Sequence, residues 1–177
     1  FLSVLFAKGS GSGEMDKPYL ISNVDQLIFY SRITADAIRT KYWTRCARLT
    51  DDIDATEKGT EVVLGKSATY PYRSTFDGDK HFIKLNISYA STPAAFISYM
   101  SSGTIKNLIL KGNVTNTGSG KTSWLSGFIG VADLDREPIR IENCVSAVTL
   151  TNPNGGTINL GGFVGELAII RPGSSGN

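Results

Sequence analysis

Ile105-Lys106-Asn107-Leu108-Ile109-Leu110-Lys111-Gly112-Asn113-Val114 returns 36 residues later as Ile141-Glu142-Asn143-Cys144-Val145-Ser146-Ala147-Val148-Thr149-Leu150. In this register Asn107 falls on Asn143, Leu108 on Cys144, Leu110 on Ser146, Gly112 on Val148 and Val114 on Leu150. Further along, Gly127-Phe128-Ile129-Gly130 matches Gly162-Phe163-Val164-Gly165 with the offset shortened by a single residue. Two gapless stretches with a nearly constant offset mark an internal repeat.

A short strand has one inward face and nothing of its own to bury it against, and stacking equivalent strands removes that problem. Equivalent positions then lie about 4.8 Å apart. The repeat therefore predicts Leu108 beside Cys144, Phe128 against Phe163, and Asn107 with Asn143 as a side-chain amide ladder at a corner. The expected repeat core is Ile105, Asn107, Leu108, Phe128, Ile141, Asn143, Cys144 and Phe163. A degenerate copy precedes it, from Phe76-Asp77-Gly78 through His81-Phe82-Ile83-Lys84-Leu85-Asn86-Ile87, with Ala95-Phe96-Ile97 in place of the Gly-Phe segment. Leu85-Asn86 inverts the later Asn-Leu order, so this coil reads as less regular.

Composition agrees with this reading. The 19 glycines fall in clusters between β-branched segments, a pattern of short strands and many turns. At 177 residues the chain is long enough for one domain or one solenoid segment with a substantial core. The fold class expected is all-β, a parallel β-helix with one N-terminal capping α-helix. Net charge is only +2 and the charges are scattered, which disfavours a nucleic-acid or anionic-membrane surface.

The N-terminal part divides differently. Residues 1–10 begin with the apolar run Phe1-Leu2-Ser3-Val4-Leu5-Phe6-Ala7, too short to span a bilayer, and read as a signal-peptide remnant or linker. Residues 11–50 are expected to form a strand ending at Ile21 and a capping helix over 24–39. Asn23 supplies the N-cap, Gln26 the capping-box position, and Leu27, Tyr30, Ile33 or Thr34, Ala37 and Ile38 the apolar stripe. Residues 42–49 read as a strand and residues 50–54 as a carboxylate-rich turn. Residues 51–177 are the coils. The step of 11 residues from Gly130 to Ile141, applied to Gly165, reaches Gly176, so a further coil is expected beyond these residues or contributed by a partner.

The ordered set Gly11-Ser12-Gly13, Lys17-Pro18-Tyr19-Leu20-Ile21-Ser22-Asn23-Val24-Asp25-Gln26-Leu27, Leu49-Thr50-Asp51-Asp52-Ile53-Asp54, Thr75-Phe76-Asp77-Gly78 with His81-Phe82-Ile83, Gly103-Thr104-Ile105-Lys106-Asn107-Leu108 and Ile141-Glu142-Asn143-Cys144 resembles the GLUG-motif β-helix proteins of bacterial cell surfaces. Their Gly-Leu-[Ile/Val]-Gly signature appears as Gly-Phe-Ile-Gly and Gly-Phe-Val-Gly. The resemblance implies a secreted or surface-anchored, repeat-bearing module, often the front end of larger proteins with adhesive or protease-associated roles. It supplies no catalytic residues. Expected partners are a glycan or host-matrix protein and further repeats of the same chain, with a membrane reached only through an anchor outside these residues.

Several residue groups invite a more chemical reading. Gly118-Ser119-Gly120-Lys121-Thr122 resembles the end of a phosphate-binding loop, but the pattern's first glycine position holds Thr115 and no helix is expected to follow. Asp51, Asp52, Asp54, Asp77 and Asp79 suggest calcium or the carboxylates of a glycan lyase or hydrolase, against the simpler reading that aspartates cap turns at strand ends. His81, the sole histidine, stands where the resemblance implies a strand-entry position and reads as structural. Cys144, in the register of Leu108, reads as a small buried apolar side chain and not a nucleophile. Two cysteines make no disulfide framework or metal spacing. Tyr70, Tyr72 and Trp124, with Tyr99, are candidates for an aromatic glycan platform. No catalytic residue, metal site or cofactor is assigned. The leading expectation is a non-catalytic surface module presenting loops 115–123 and 133–138. A glycan-active β-helix enzyme and an end-to-end self-assembling fibre subunit are the alternatives.

Overall fold

The computed structural model describes residues 9–35, 44–90, 93–118, 122–134 and 137–168. Over these residues the chain winds as a parallel β-helix of about 4 turns. β1 (Tyr19–Ile21) and α1 (Val24–Thr34) open it. β2 (Ala47–Leu49), β3 (Ile53–Asp54) and a 3-10 turn at Gly59–Val62 follow, then β4 (Thr75–Asp77), β5 (Phe82–Tyr89) and β6 (Ile97–Met100). The two regular coils are β7 (Gly103–Lys106), β8 (Ile109–Asn116), β9 (Thr122–Ser126) and β10 (Ile129–Asp133), then β11 (Ile139–Glu142), β12 (Val145–Thr151), β13 (Thr157–Gly161) and β14 (Val164–Ala168). Four sheets run along the stack in the orders β1-β2-β4-β7-β11, β3-β5-β8-β12, β9-β13 and β6-β10-β14. Every paired strand lies parallel to its neighbour.

The expected register is the observed one. Ile141 pairs with Ile105, Ser146 with Leu110, Val148 with Gly112 and Leu150 with Val114, while Val164 pairs with Ile129 at the shorter offset. Burial alternates along β5, β8 and β12, so every second residue faces the core, whereas β10 is buried throughout. Inside, columns of apolar side chains run through the coils: Ala47, Phe76, Ile105 and Ile141 on the first sheet, and Ile87, Val114 and Leu150 on the second. Phe128 stacks on Phe163 with ring centroids 5.1 Å apart. Gly112 interrupts a column between Leu85 and Val148. Its φ of 99° is a left-handed conformation, and a Cβ there would meet the Leu85 carbonyl oxygen at 2.0 Å, so both backbone and space require glycine.

The degenerate coil is registered differently from the expectation. Leu85 pairs with Gly112 and Asn86 with Asn113, so Leu85-Asn86 lies mid-strand and is no inverted corner. The corner is instead at Asp79 and Lys80, both at positive φ, with the Lys80 N–H donating to the Asn107 carbonyl. Phe76 pairs with Ile105 and Phe82 with Ile109, so this coil uses two more residues to turn the same corner. Asp54 likewise lies on a strand, β3, although residues 50–54 read as a turn.

Helix α1 closes the first coil. Asn23 Oδ1 accepts from the Gln26 N–H at 3.1 Å, as an N-cap should. Gln26 Oε1 reaches back to the Ser22 N–H at 2.7 Å, one residue earlier than the usual capping box. The helix ends at Thr34, short of the expected 39, with residues 36–43 outside the described set. It buries Leu27, Ile28, Tyr30, Ser31 and Thr34. Tyr30 packs against Tyr19, Tyr72 and Phe76 at centroid distances of 6.0–6.3 Å. The Tyr30 hydroxyl also donates to the Arg45 carbonyl at 2.6 Å and pairs with the Tyr72 hydroxyl at 2.7 Å, so the polar tips of the plug are satisfied.

Candidate functional site

The outer face of the first sheet carries the most ordered polar arrangement. Arg48 on β2 pairs in register with Asp77 on β4, Asp77 with Lys106 on β7, and Lys106 with Glu142 on β11. The column alternates in sign coil by coil, the favourable order for cross-strand neighbours. Lys106 Nζ sits 3.3 Å from Asp77 Oδ2, and Arg48 Nε 4.0 Å from Asp79 Oδ2. A shallow cleft of about 150 Å³ lies beside this column, with Asp16, Arg48, Asp77 and Lys106 among its polar walls.

Beside the charges runs the amide ladder. Asn107 and Asn143 adopt left-handed φ values of 52° and 51°, which asparagine tolerates better than most side chains. Asn143 Nδ2 donates to Asn107 Oδ1 at 2.8 Å, and Asn107 Nδ2 donates to Asp77 Oδ1 at 3.0 Å. Burial pushes the Asp77 carboxyl up, but hydrogen bonds from Asn107 and the Asp79 N–H, with Lys106 beside it, outweigh burial and hold it below its usual 3.8. An ionised carboxylate only accepts. It therefore fixes the amide orientation of Asn107, and through Asn107 that of Asn143.

The remaining aspartates are used locally. Asp54 Oδ1 accepts from the Thr56 N–H and hydroxyl at 3.0 and 2.6 Å, which lowers its pKa, and Lys84 Nζ lies 3.6 Å away. Asp51 accepts the Asp52 N–H, and Asp77 the Asp79 N–H. Asp52 Oδ1 lies 3.2 Å from His81 Nδ1 and accepts the Phe82 N–H at 3.0 Å, so His81 ties the loop before β3 to the start of β5. Among the described residues no group of three or more metal-ligating side chains converges.

The aromatic candidates are not brought together. Tyr72 is fully buried and hydrogen-bonded to Tyr30, so it belongs to the plug and offers no platform; its place after Pro71 in a loop-like stretch hid the bridge it makes with Met100. Tyr70 lies in the turn before that bridge, half-buried. Trp124 is half-buried on β9, on a different sheet, with its indole nitrogen buried and lacking a hydrogen-bond partner among the described residues. Tyr99, on β6, is half-buried. The glycine-rich stretch ending at Thr122 leads directly into strand β9 and supplies no helix N-terminus; residues 119–121 lie outside the described set, as do the apolar residues 1–8. Both cysteines are free. Cys46 is buried, and Cys144 is packed against the core but half-exposed because no coil among the described residues covers it.

The alternating charge column was missed in the sequence, although its signal was present. Once Ile105 is laid over Ile141, the next residues are Lys106 and Glu142, opposite in sign. Comparison of the chain with protein-family models, with curated proteins and with solved structures gives no match.

Proposed function

We propose that the chain is a non-catalytic β-helix module of an exported, cell-surface protein, adhesin-like or structural, of the kind its GLUG-like motifs suggest. The observation that carries this reading is the use of its acidic side chains. A glycan-cleaving β-helix needs carboxylates converging on one groove. Here Asp52 in the turn before β3, Asp54 at the end of β3 and Asp77 at the end of β4 are each already bonded to a neighbouring N–H, amide, hydroxyl or cation. Such bonds stiffen corners, and at Asp54 and Asp77 they favour the ionised form. No helix among the described residues is long and apolar enough to cross a membrane.

The test is binding of the chain to arrays of glycans and host-matrix proteins, with calcium and then with chelator. Reproducible retention that survives chelation and leaves the bound glycan intact is the expected result. Loss of the bound sugar over time overturns the reading in favour of a glycan-active enzyme.

A further inference from the structure

Among the described residues the last coil presents four strand edges without a neighbouring strand. β11, β12, β13 and β14 are each terminal in their sheets. Interior positions buried one coil earlier are open here: Leu125 is 0% exposed and its partner Leu160 is 60%, while Phe128 is 0% and Phe163 39%. The opposite end is plugged by α1, so it offers no matching face for a head-to-tail stack of identical chains.

Both polar ladders reach this open end with a defined polarity. The charge column ends on Glu142, and Lys106 opposite it is turned back to Asp77, leaving Glu142 with no cation within ion-pair distance among the described residues. The amide ladder ends on Asn143, whose Nδ2 is given to Asn107, leaving Oδ1 for an incoming donor. The other charge on β11, Arg140, faces Thr104 and then Thr75, so its column sets no charge requirement. We propose that this end accepts one further parallel β-helix coil, whose strand on β11 carries a basic residue followed by an asparagine, as Lys106-Asn107 does one coil earlier. A second copy of this chain is a poor occupant, because its only Lys-Asn or Arg-Asn pair is Lys106-Asn107, already enclosed in the stack. The pairing is strand addition at a sheet edge, with backbone bonds giving affinity and the two polar positions giving register.

Two synthetic peptides serve as probes against the full chain: residues 103–116, which carry Lys-Asn, and residues 139–152 with Cys144→Ser, which carry Glu-Asn. One favourable cross-strand charge pair contributes up to about 1 kcal/mol, so the first peptide is expected to bind about fivefold more tightly, a preference that shrinks with added salt. Glu142→Lys is expected to reverse the preference and Glu142→Gln to abolish it. Equal binding of both peptides, binding of neither, or a preference unchanged in both variants overturns the proposal. So does a concentration-dependent dimer that survives Glu142→Lys in sedimentation, which would assign the end to a second copy.

Discussion

The two ends of the β-helix are built from the same kind of strand but meet solvent differently. At the first coil Tyr19, Ile21, Leu27, Tyr30 and Leu49 are all at most 4% exposed, because α1 lies where another coil would otherwise be. At the last coil β12 alternates between exposed and half-exposed residues and has no buried position. Burial in this fold is therefore conferred by the neighbouring coil more than by the residue itself. Phe128 and Phe163 occupy one column, and only the one with coils on both sides is enclosed.

That contrast predicts unequal effects of identical substitutions. The largest is at the stacked phenylalanines. Phe128→Ala is expected to cost about 3–5 kcal/mol, whereas Phe163→Ala should cost about 1–2 kcal/mol, because part of its ring is already in water. Urea denaturation of both variants measures the ratio, and equal losses would break the comparison. Next is glycine. Gly112→Ala forces a Cβ onto the Leu85 carbonyl in a left-handed conformation and is expected to cost roughly 2–4 kcal/mol. Gly155, also at positive φ but with open space around its Cβ position, should lose only about 1 kcal/mol on the same change.

The ladder gives a smaller difference. Asn107→Ala removes two side-chain hydrogen bonds and Asn143→Ala one, at the same left-handed φ, so the first should be more destabilising by about 1 kcal/mol in thermal or urea unfolding. The smallest effect is pH dependence at Asp77. Its folded pKa lies below its unfolded value near 3.8, so its contribution is present above that value and fades as pH falls through the lower folded pKa. Asp77→Asn should flatten stability against pH below about 4 relative to the parent chain, and an unchanged slope would remove the carboxylate from the head of the ladder.

Much of the fold was legible because stacking imposes its own period. Ile105 over Ile141, Leu110 over Ser146 and Phe128 over Phe163 could be read from identity and spacing alone, and so could the Asn107–Asn143 ladder. The corner at residues 78–81 could not, because two extra residues changed the offset within a coil, and Leu85-Asn86 offered a false match. Tyr72 was misread for a related reason. Pro71 and the polar residues before it look like a loop, yet the burial of Tyr72 is decided by Tyr30, far away in sequence on α1. The charge column needed the register first, since no single Arg48, Asp77, Lys106 or Glu142 is distinctive. What the surface recognises depends on a three-dimensional arrangement of half-buried side chains, which spacing along one chain does not encode.

Amide hydrogen exchange along β8 and β12 tests the account most directly. In a parallel stack alternate amides point to opposite neighbours. β8 has β5 on one side and β12 on the other, so its amides are expected to be protected throughout. Val145 donates to the Leu108 carbonyl, so Val145, Ala147, Thr149 and Thr151 should exchange slowly and Ser146, Val148 and Leu150 fast. Uniform protection of β12, or fast exchange along β8, would contradict an open-ended parallel β-helix in this register.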